Sequence, residues 1–500
     1  MRRAAARAAL ASGAAETVGR VLTIVLSIAT ARALEPGEVG VLGLAVVVVG
    51  IISQIGACSE TAGITTRGSG TDGQHAFVAS MIRCGLTGLL VAAAFLGLSL
   101  ITRLLAGAEG EAPQLALLTS VMLLAPLVEL GGGYPRVVLQ RRLDLSFLAG
   151  ASLSQVAVHV GLSVILLWKG YGAMGVVLSS LISSGLGAVV VWFRMFRSHQ
   201  SHGFSRSLPV GLWGQVFKGT VKVFAGGFAG YLNGRIDNLL VSGALGPTAM
   251  SYYSMAWNTS RVAPQILGQA FGFVLVPTLA QIQTDKARVD RALRASIRHS
   301  YLLLAPICAA LFVSAPSLVE LVLGEKWLPM VPALRLMSIT ALLSPVVIIA
   351  NSFLVGTGRA HLTGIATSVQ LAALACVIVP LSRAWGITGA AWGDLVAAAL
   401  LAVSLLAVAP MVRRPMLAEL AWCLTLPVSA AVLAGLTTWV ISTRLLPDSW
   451  RAFQQIGILA VAYPVFLSIL GGKTAISNLV NLIRGVGERI TVNSGVSASR

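Results

Sequence analysis

The sequence predicts an all-α polytopic membrane protein, and three observations carry that prediction. Hydrophobic residues make up 56% of the 500 and charged residues 11%, where a soluble domain has roughly 45–50% and 25%. Apolar runs recur along most of the chain, many of them long enough for the roughly 20-residue helix that crosses a bilayer. Short motifs from the first part also return past the middle. Ala33-Leu34-Glu35-Pro36 is echoed by Ala244-Leu245-Gly246-Pro247, and Tyr171-Gly172-Ala173-Met174-Gly175 by Trp385-Gly386-Ile387-Thr388-Gly389. The two offsets nearly agree, so a block of about six spans repeats as a unit. An even number of spans between the copies sets two parallel six-helix halves around a central cleft.

Taken in order, the apolar segments number about fourteen transmembrane helices. Six lie in an N-terminal half, 1–195, followed by a cytoplasmic linker, 196–218. Six more lie in a C-terminal half, 219–410; two additional helices fill 411–475, and a cytoplasmic tail runs over 476–500. The basic start Met1-Arg2-Arg3 precedes a full span containing Glu16 and Arg20, which predicts a retained first helix and not a signal peptide. With the N-terminus inside, 25 basic residues fall on the cytoplasmic side and 7 on the other, with Arg83 counted among the cytoplasmic ones. That bias predicts both termini in the cytoplasm of a multi-pass inner-membrane protein. The net charge of +18 is spread over many short loops, which argues for this orientation rule and against nucleic acid as a partner. Five scattered cysteines imply no disulfide framework.

One polar stretch has its own character. Lys286, Arg288, Arg291, Arg294 and Arg298 alternate with Ala287, Val289, Leu293 and Ile297, predicting a basic helical extension at the level of anionic headgroups or a solvated face.

No catalytic constellation, metal cluster or cofactor motif emerges. Gly471-Gly472-Lys473-Thr474 mimics the end of a phosphate loop, but it follows a spanning helix where a strand is needed. His199 and His202 sit in a polar loop without further ligands. Charges inside spans are costly and default to functional candidates. Glu16, Glu60, Glu129 and Arg335 lie near segment ends, where they reach the interface by snorkelling. Arg20, Arg235, Arg261, Asp237 and Asp394 lie deeper and are candidates for lining one cavity. On a continuous helix Arg235 and Asp237, two residues apart, face nearly opposite sides and cannot pair. His159, mid-span, is either part of a proton relay or an imidazole bonded between helices. Gly226, Gly230 and Gly234 form a small-residue stripe suited to close packing.

Several motifs taken together resemble the bacterial oligosaccharide flippases of the multidrug/oligosaccharidyl-lipid/polysaccharide exporter superfamily. They are Ala31-Arg32-Ala33-Leu34-Glu35-Pro36-Gly37-Glu38-Val39-Gly40, Gln140-Arg141-Arg142-Leu143, Asp237-Asn238-Leu239-Leu240, Leu245-Gly246, Tyr252-Tyr253-Ser254 and Gly324-Glu325-Lys326-Trp327. The resemblance runs over roughly residues 8–410. It implies a non-enzymatic flippase that moves undecaprenyl-pyrophosphate-linked oligosaccharide repeat units outward by alternating access, for surface polysaccharide assembly. Membrane lipids, and polysaccharide polymerase and chain-length or export proteins, are the partners it implies. Asp237 and Asn238 are family-typical positions; Arg20, Arg235 and Arg261 come from depth and charge alone. Two alternatives stay open: a cation-coupled multidrug exporter of the same superfamily, and a membrane glycosyltransferase or polymerase. The second is disfavoured by the short outer loops.

Overall fold

The computed structural model describes residues 2–66, 72–104, 111–197, 211–409, 425–441, 454–467 and 469–470. Most of the linker, the segment joining the two halves to the last two helices, the C-terminal tail, His199, His202 and Gly471 to Thr474 lie outside the described residues. Among the described residues every regular element is helical.

Contacts divide the chain into two compact units, 1–242 with 246–251, and 252–500 with 243–245. The first holds α1 (Arg2–Ala33), α2 (Pro36–Thr65), α3 (Asp72–Leu104), α4 (Glu111–Met122), α5 (Leu124–Arg141), α6 (Leu145–Trp168), α7 (Gly172–Arg197) and α8 (Leu212–Asn233), and most of α9 (Ile236–Leu245). Within it α1 packs on α6, α6 on α7, and α2 on both α3 and α8. The chain passes to the second unit along α10 (Pro247–Ile282), then α11 (Lys286–Val322), a 3-10 turn at Glu325–Met330, α12 (Val331–Ala341), α13 (Ser344–Gly356) and α14 (Ala360–Val408). Two shorter apolar helices follow, α15 (Thr425–Ile441) and α16 (Gln454–Leu467).

Among the described residues, eight helices are long and apolar enough to cross a membrane, and nine if the bent pair Glu325–Ala341 and Ser344–Gly356 is one span. Most of the shortfall from fourteen has three sources: the seventh and tenth spans are broken, α15 and α16 are short among the described residues, and one helix joins two crossings. Residues 360–408 score as one helix, yet Trp385 and Gly386 leave helical φ/ψ, and each side is long enough for its own crossing at 1.5 Å per residue. Gly386 has φ +61° and ψ −142°, a region closed to residues with a Cβ.

The repeated motifs share their helix start and a glycine at positive φ, although Glu35 (φ −72°) and Gly246 (φ +88°) differ. Pro36 begins α2 and Pro247 begins α10, as proline's missing N–H allows at a first helical position. Gly172 and Gly386, partners in the second echo, both have positive φ, +56° and +61°. The fourth span of each predicted half is interrupted at the same distance before a proline, by one residue in the first half and with a 42° bend in the second. α4 ends at Met122, four residues before Pro126, and α12 ends at Ala341, four before Pro345. Each final carbonyl is the one whose donor the proline removes.

The basic stretch is the first part of α11. Asp285 caps it, accepting from the N–H groups of Ala287 and Arg288 at 3.1 Å each, which satisfies two orphan donors. Val289, Leu293 and Ile297 are buried against Leu279, Phe353 and Leu405, while Arg288, Arg291, Arg294 and Arg298 are exposed.

Candidate functional site

The seventh predicted span is not one helix. α8 stops at Asn233, Gly234 caps it, and Arg235 has φ −139°, so the helical argument that set Arg235 opposite Asp237 is corrected. The Asn233-Gly234 pair is a turn signal that the hydropathy of the segment hides. Arg235 therefore stands at a break in the helix, half-buried, and among the described residues no carboxylate pairs with it. Tyr231, one turn back, feels its charge. Two residues on, the buried Asp237 lies in the first turn of α9, where the helix dipole favours a carboxylate. Its Oδ1 accepts the Asn238 N–H at 2.8 Å.

The other deep arginines are already compensated. Arg20 donates to Glu16 one turn earlier on α1, 3.0 Å away, beside a cavity of about 450 Å³ that Gln140 also lines. In the second unit, Arg261 Nη2 lies 3.2 and 3.3 Å from the two carboxylate oxygens of Asp394. Its guanidinium also stacks over Trp257, 5.4 Å from the ring centre. The structure thus joins Arg261 to Asp394 and, among the described residues, gives Arg235 no ion-pair partner.

His159 Nδ1 is 3.1 Å from Ser179 Oγ, and Ser179 Oγ is in turn in hydrogen-bond contact with Ser163. This ties α6 to α7.

Sequence reasoning missed one constellation. Arg83, counted as cytoplasmic, is buried at 4% exposure, eleven residues into α3. It pairs with Glu60 of α2, and its Nη2 is 3.5 Å from Glu129 of α5. Glu60 and Glu129 therefore turn inward to a shared arginine instead of snorkelling. Arg136, donating to Gln155 at 3.3 Å, adds attraction on Glu60. The signal available was three ionisable residues in three neighbouring segments, but only the packing of α3 against α2 and α5 makes them one group.

A larger cavity in the second unit, about 510 Å³, is lined by apolar groups such as Phe312, Val432 and Trp439. Its arginine, Arg335, donates to the Phe312 carbonyl at 3.2 Å and lies over the Phe312 ring.

The described residues thus define an all-helical membrane protein in which Arg20, Arg83 and Arg261 pair with carboxylates and Arg235, at a helix break, does not. The model of the family described as "Polysaccharide biosynthesis protein" matches residues 29–332, and the chain belongs to that family. It is 25% identical to succinoglycan biosynthesis transport protein ExoT of Rhizobium meliloti (strain 1021), over 62% of this chain and 60% of that protein. It is 26% identical to lipopolysaccharide biosynthesis protein WzxC of Escherichia coli (strain K12), over 50% of each. The chain thus spans about half the length of the curated relatives it matches. The fold is that of a solved lipid II flippase MurJ in an inward closed conformation, with TM-score 0.70 and 14% identity over 92% of this chain and 98% of that one. An inward-facing multidrug resistance MATE family transporter aligns with TM-score 0.61 and 15% identity, over 78% of this chain and 95% of that one.

Proposed function

We propose that the protein flips lipid-linked oligosaccharide repeat units, carried on undecaprenyl pyrophosphate, from the cytoplasmic to the outer leaflet of a bacterial inner membrane. The product feeds exopolysaccharide, capsule or O-antigen assembly, with the polymerase and chain-length or export proteins as partners. The family and the transport and lipopolysaccharide roles named for its relatives support the cargo class.

The observation that carries the reading is Arg235, a guanidinium at a helix break with no carboxylate among the described residues. A pyrophosphate taken from water into an apolar core costs several kcal/mol unless compensated, and a planar guanidinium meets two phosphate oxygens at once. Arg20 and Arg261 contribute less net charge, because Glu16 and Asp394 already balance them. Asp237 and Asn238 shape the start of α9 beside Arg235. The membrane potential assists, at about 2.3 kcal/mol per charge per 100 mV for negative charge leaving a negative interior.

The fourteen-span count, two six-helix halves working by alternating access, and cytoplasmic termini complete the proposal; the shared helix starts and the charge bias support them. His159 is assigned an interhelical structural role in place of a proton relay. The multidrug-exporter alternative calls for acidic ion sites at Asp237 and Asp394; Asp394 is engaged by Arg261, while Asp237 accepts the Asn238 N–H at the start of α9.

The test is deletion of the protein scored for lipid-linked oligosaccharide trapped on the inner leaflet, with complementation. Wild type restores export. Arg235→Ala reaches normal membrane abundance without restoring it. Restored export from that variant, or no trapped intermediate on deletion, sinks the reading.

A further inference from the structure

The cavity beside Arg261 contains polar atoms that no described residue bonds. About 300 Å³ in volume, it is lined by Trp257, Arg261, Gln265, Ser344 and Gln370, with apolar side chains such as Leu343 between them. Among the described residues, Gln370 Oε1 and Ser344 Oγ are buried without a hydrogen-bond partner. Ser344 as a whole is 8% exposed. Thr340, also lining the cavity, is by contrast already satisfied, donating to the Leu336 carbonyl.

Such orphans cost stability, and apolar replacements of similar shape remove the cost. Both line one cavity, where a ligand able to bond them would complete them. The chemistry of that ligand follows from the walls. Because Asp394 neutralises Arg261, the cavity has no net charge to hold an anion. An alkyl chain would leave both polar atoms unsatisfied. A sugar hydroxyl both donates and accepts, so it serves Ser344, and it serves Gln370 whichever way the amide is turned. Trp257 and the aliphatic wall suit the apolar face of a pyranose ring.

We propose that this cavity is a subsite for a neutral sugar of the cargo. The proposal rests on the reading of the cargo as a lipid-linked oligosaccharide. It assigns Gln370 and Ser344 to recognition of sugar hydroxyls and Trp257 to the ring face.

The experiment compares two probes on the purified full chain in a detergent without sugars. One is the prenyl-pyrophosphate-linked oligosaccharide extracted from membranes of the host; the other is the same carrier trimmed to its first sugar. Wild type is expected to prefer the complete carrier by about tenfold or more, as sites built to bond hydroxyls do. In Gln370→Leu with Ser344→Ala, that preference should fall to within about threefold, with a melting temperature equal to or above wild type. A preference that survives in the variant, a wild type without preference, or a variant that melts clearly lower each overturns the subsite. A wild type that binds neither carrier overturns the cargo reading, and the subsite with it. Arg235→Ala separates the two, since it should weaken both carriers alike.

Discussion

The first and seventh spans end in copies of the same motif, Ala33-Leu34-Glu35-Pro36 and Ala244-Leu245-Gly246-Pro247, and each carries an arginine upstream of it. They treat that arginine in opposite ways. α1 runs unbroken from Arg2 to Ala33, and Arg20 is matched by Glu16 one turn back. The later copy is split into α8 and α9, with Arg235 at the break and no carboxylate among the described residues. A continuous helix supplies an i, i+4 partner cheaply; a broken one removes that option and exposes N–H groups and a cation in the same place. Depth alone did not separate these residues. Partnership does.

If partnership decides between holding the fold and holding cargo, the deepest compensated arginine should act on stability first. Arg83→Met leaves Glu60 and Glu129 buried without their cation, and breaking a buried pair in this way costs about 3–5 kcal/mol. Folded protein in the membrane should drop sharply, as read by abundance and detergent melting, while export per folded molecule stays near wild type. Abundant, well-folded protein that fails to export would move Arg83 into the transport machinery and blur the contrast.

Arg235→Ala is the converse case. Export should fall by about a hundredfold, or roughly 2.7 kcal/mol, at unchanged melting temperature, because no ion pair among the described residues is lost. Arg235→Lys restores the charge but not the fork that grips two oxygens. Its export should recover to within about tenfold of wild type. Equal export from the lysine variant and wild type would show that charge alone matters at the break.

The comparison also shows what was legible beforehand. Apolar runs gave the spans, and the repeat motifs marked real junctions, because proline at a helix start and glycine at positive φ are local requirements. Pro345 announced its break for the same reason. The Arg83 group was not legible. Hydropathy drew the third segment from 77 to 101, while the helix begins at Asp72, so Arg83 looked terminal. Its carboxylates come from helices 23 and 46 residues away in sequence. Arg261 and Asp394 are 133 residues apart, and their pairing, like the orphaned Gln370 and Ser344, belongs to tertiary packing. The break at Gly234 was half legible: the glycine stripe suggested packing, whereas Asn233 beside it was the better clue.

The smallest effect is expected at Arg20, and it is the sharpest check on the comparison. Its pair with Glu16 lies within one helix, with side chains 40% and 55% exposed, where such pairs are worth about 0.3–0.5 kcal/mol. Replacing Arg20 by alanine strands only a carboxylate that keeps access to the adjoining cavity, so melting and export should both stay within about twofold of wild type. Replacing Glu16 by glutamine is more telling. It leaves Arg20 uncompensated, as Arg235 is, without changing the backbone. If a free cation were enough to bind the anionic headgroup, Glu16→Gln would strengthen cargo binding and restore export to the Arg235→Ala protein. The expected result is no rescue, because α1 has no helix break at Arg20 to add N–H donors beside the guanidinium. Rescue would show that the broken span matters only as a place to keep an arginine unpaired.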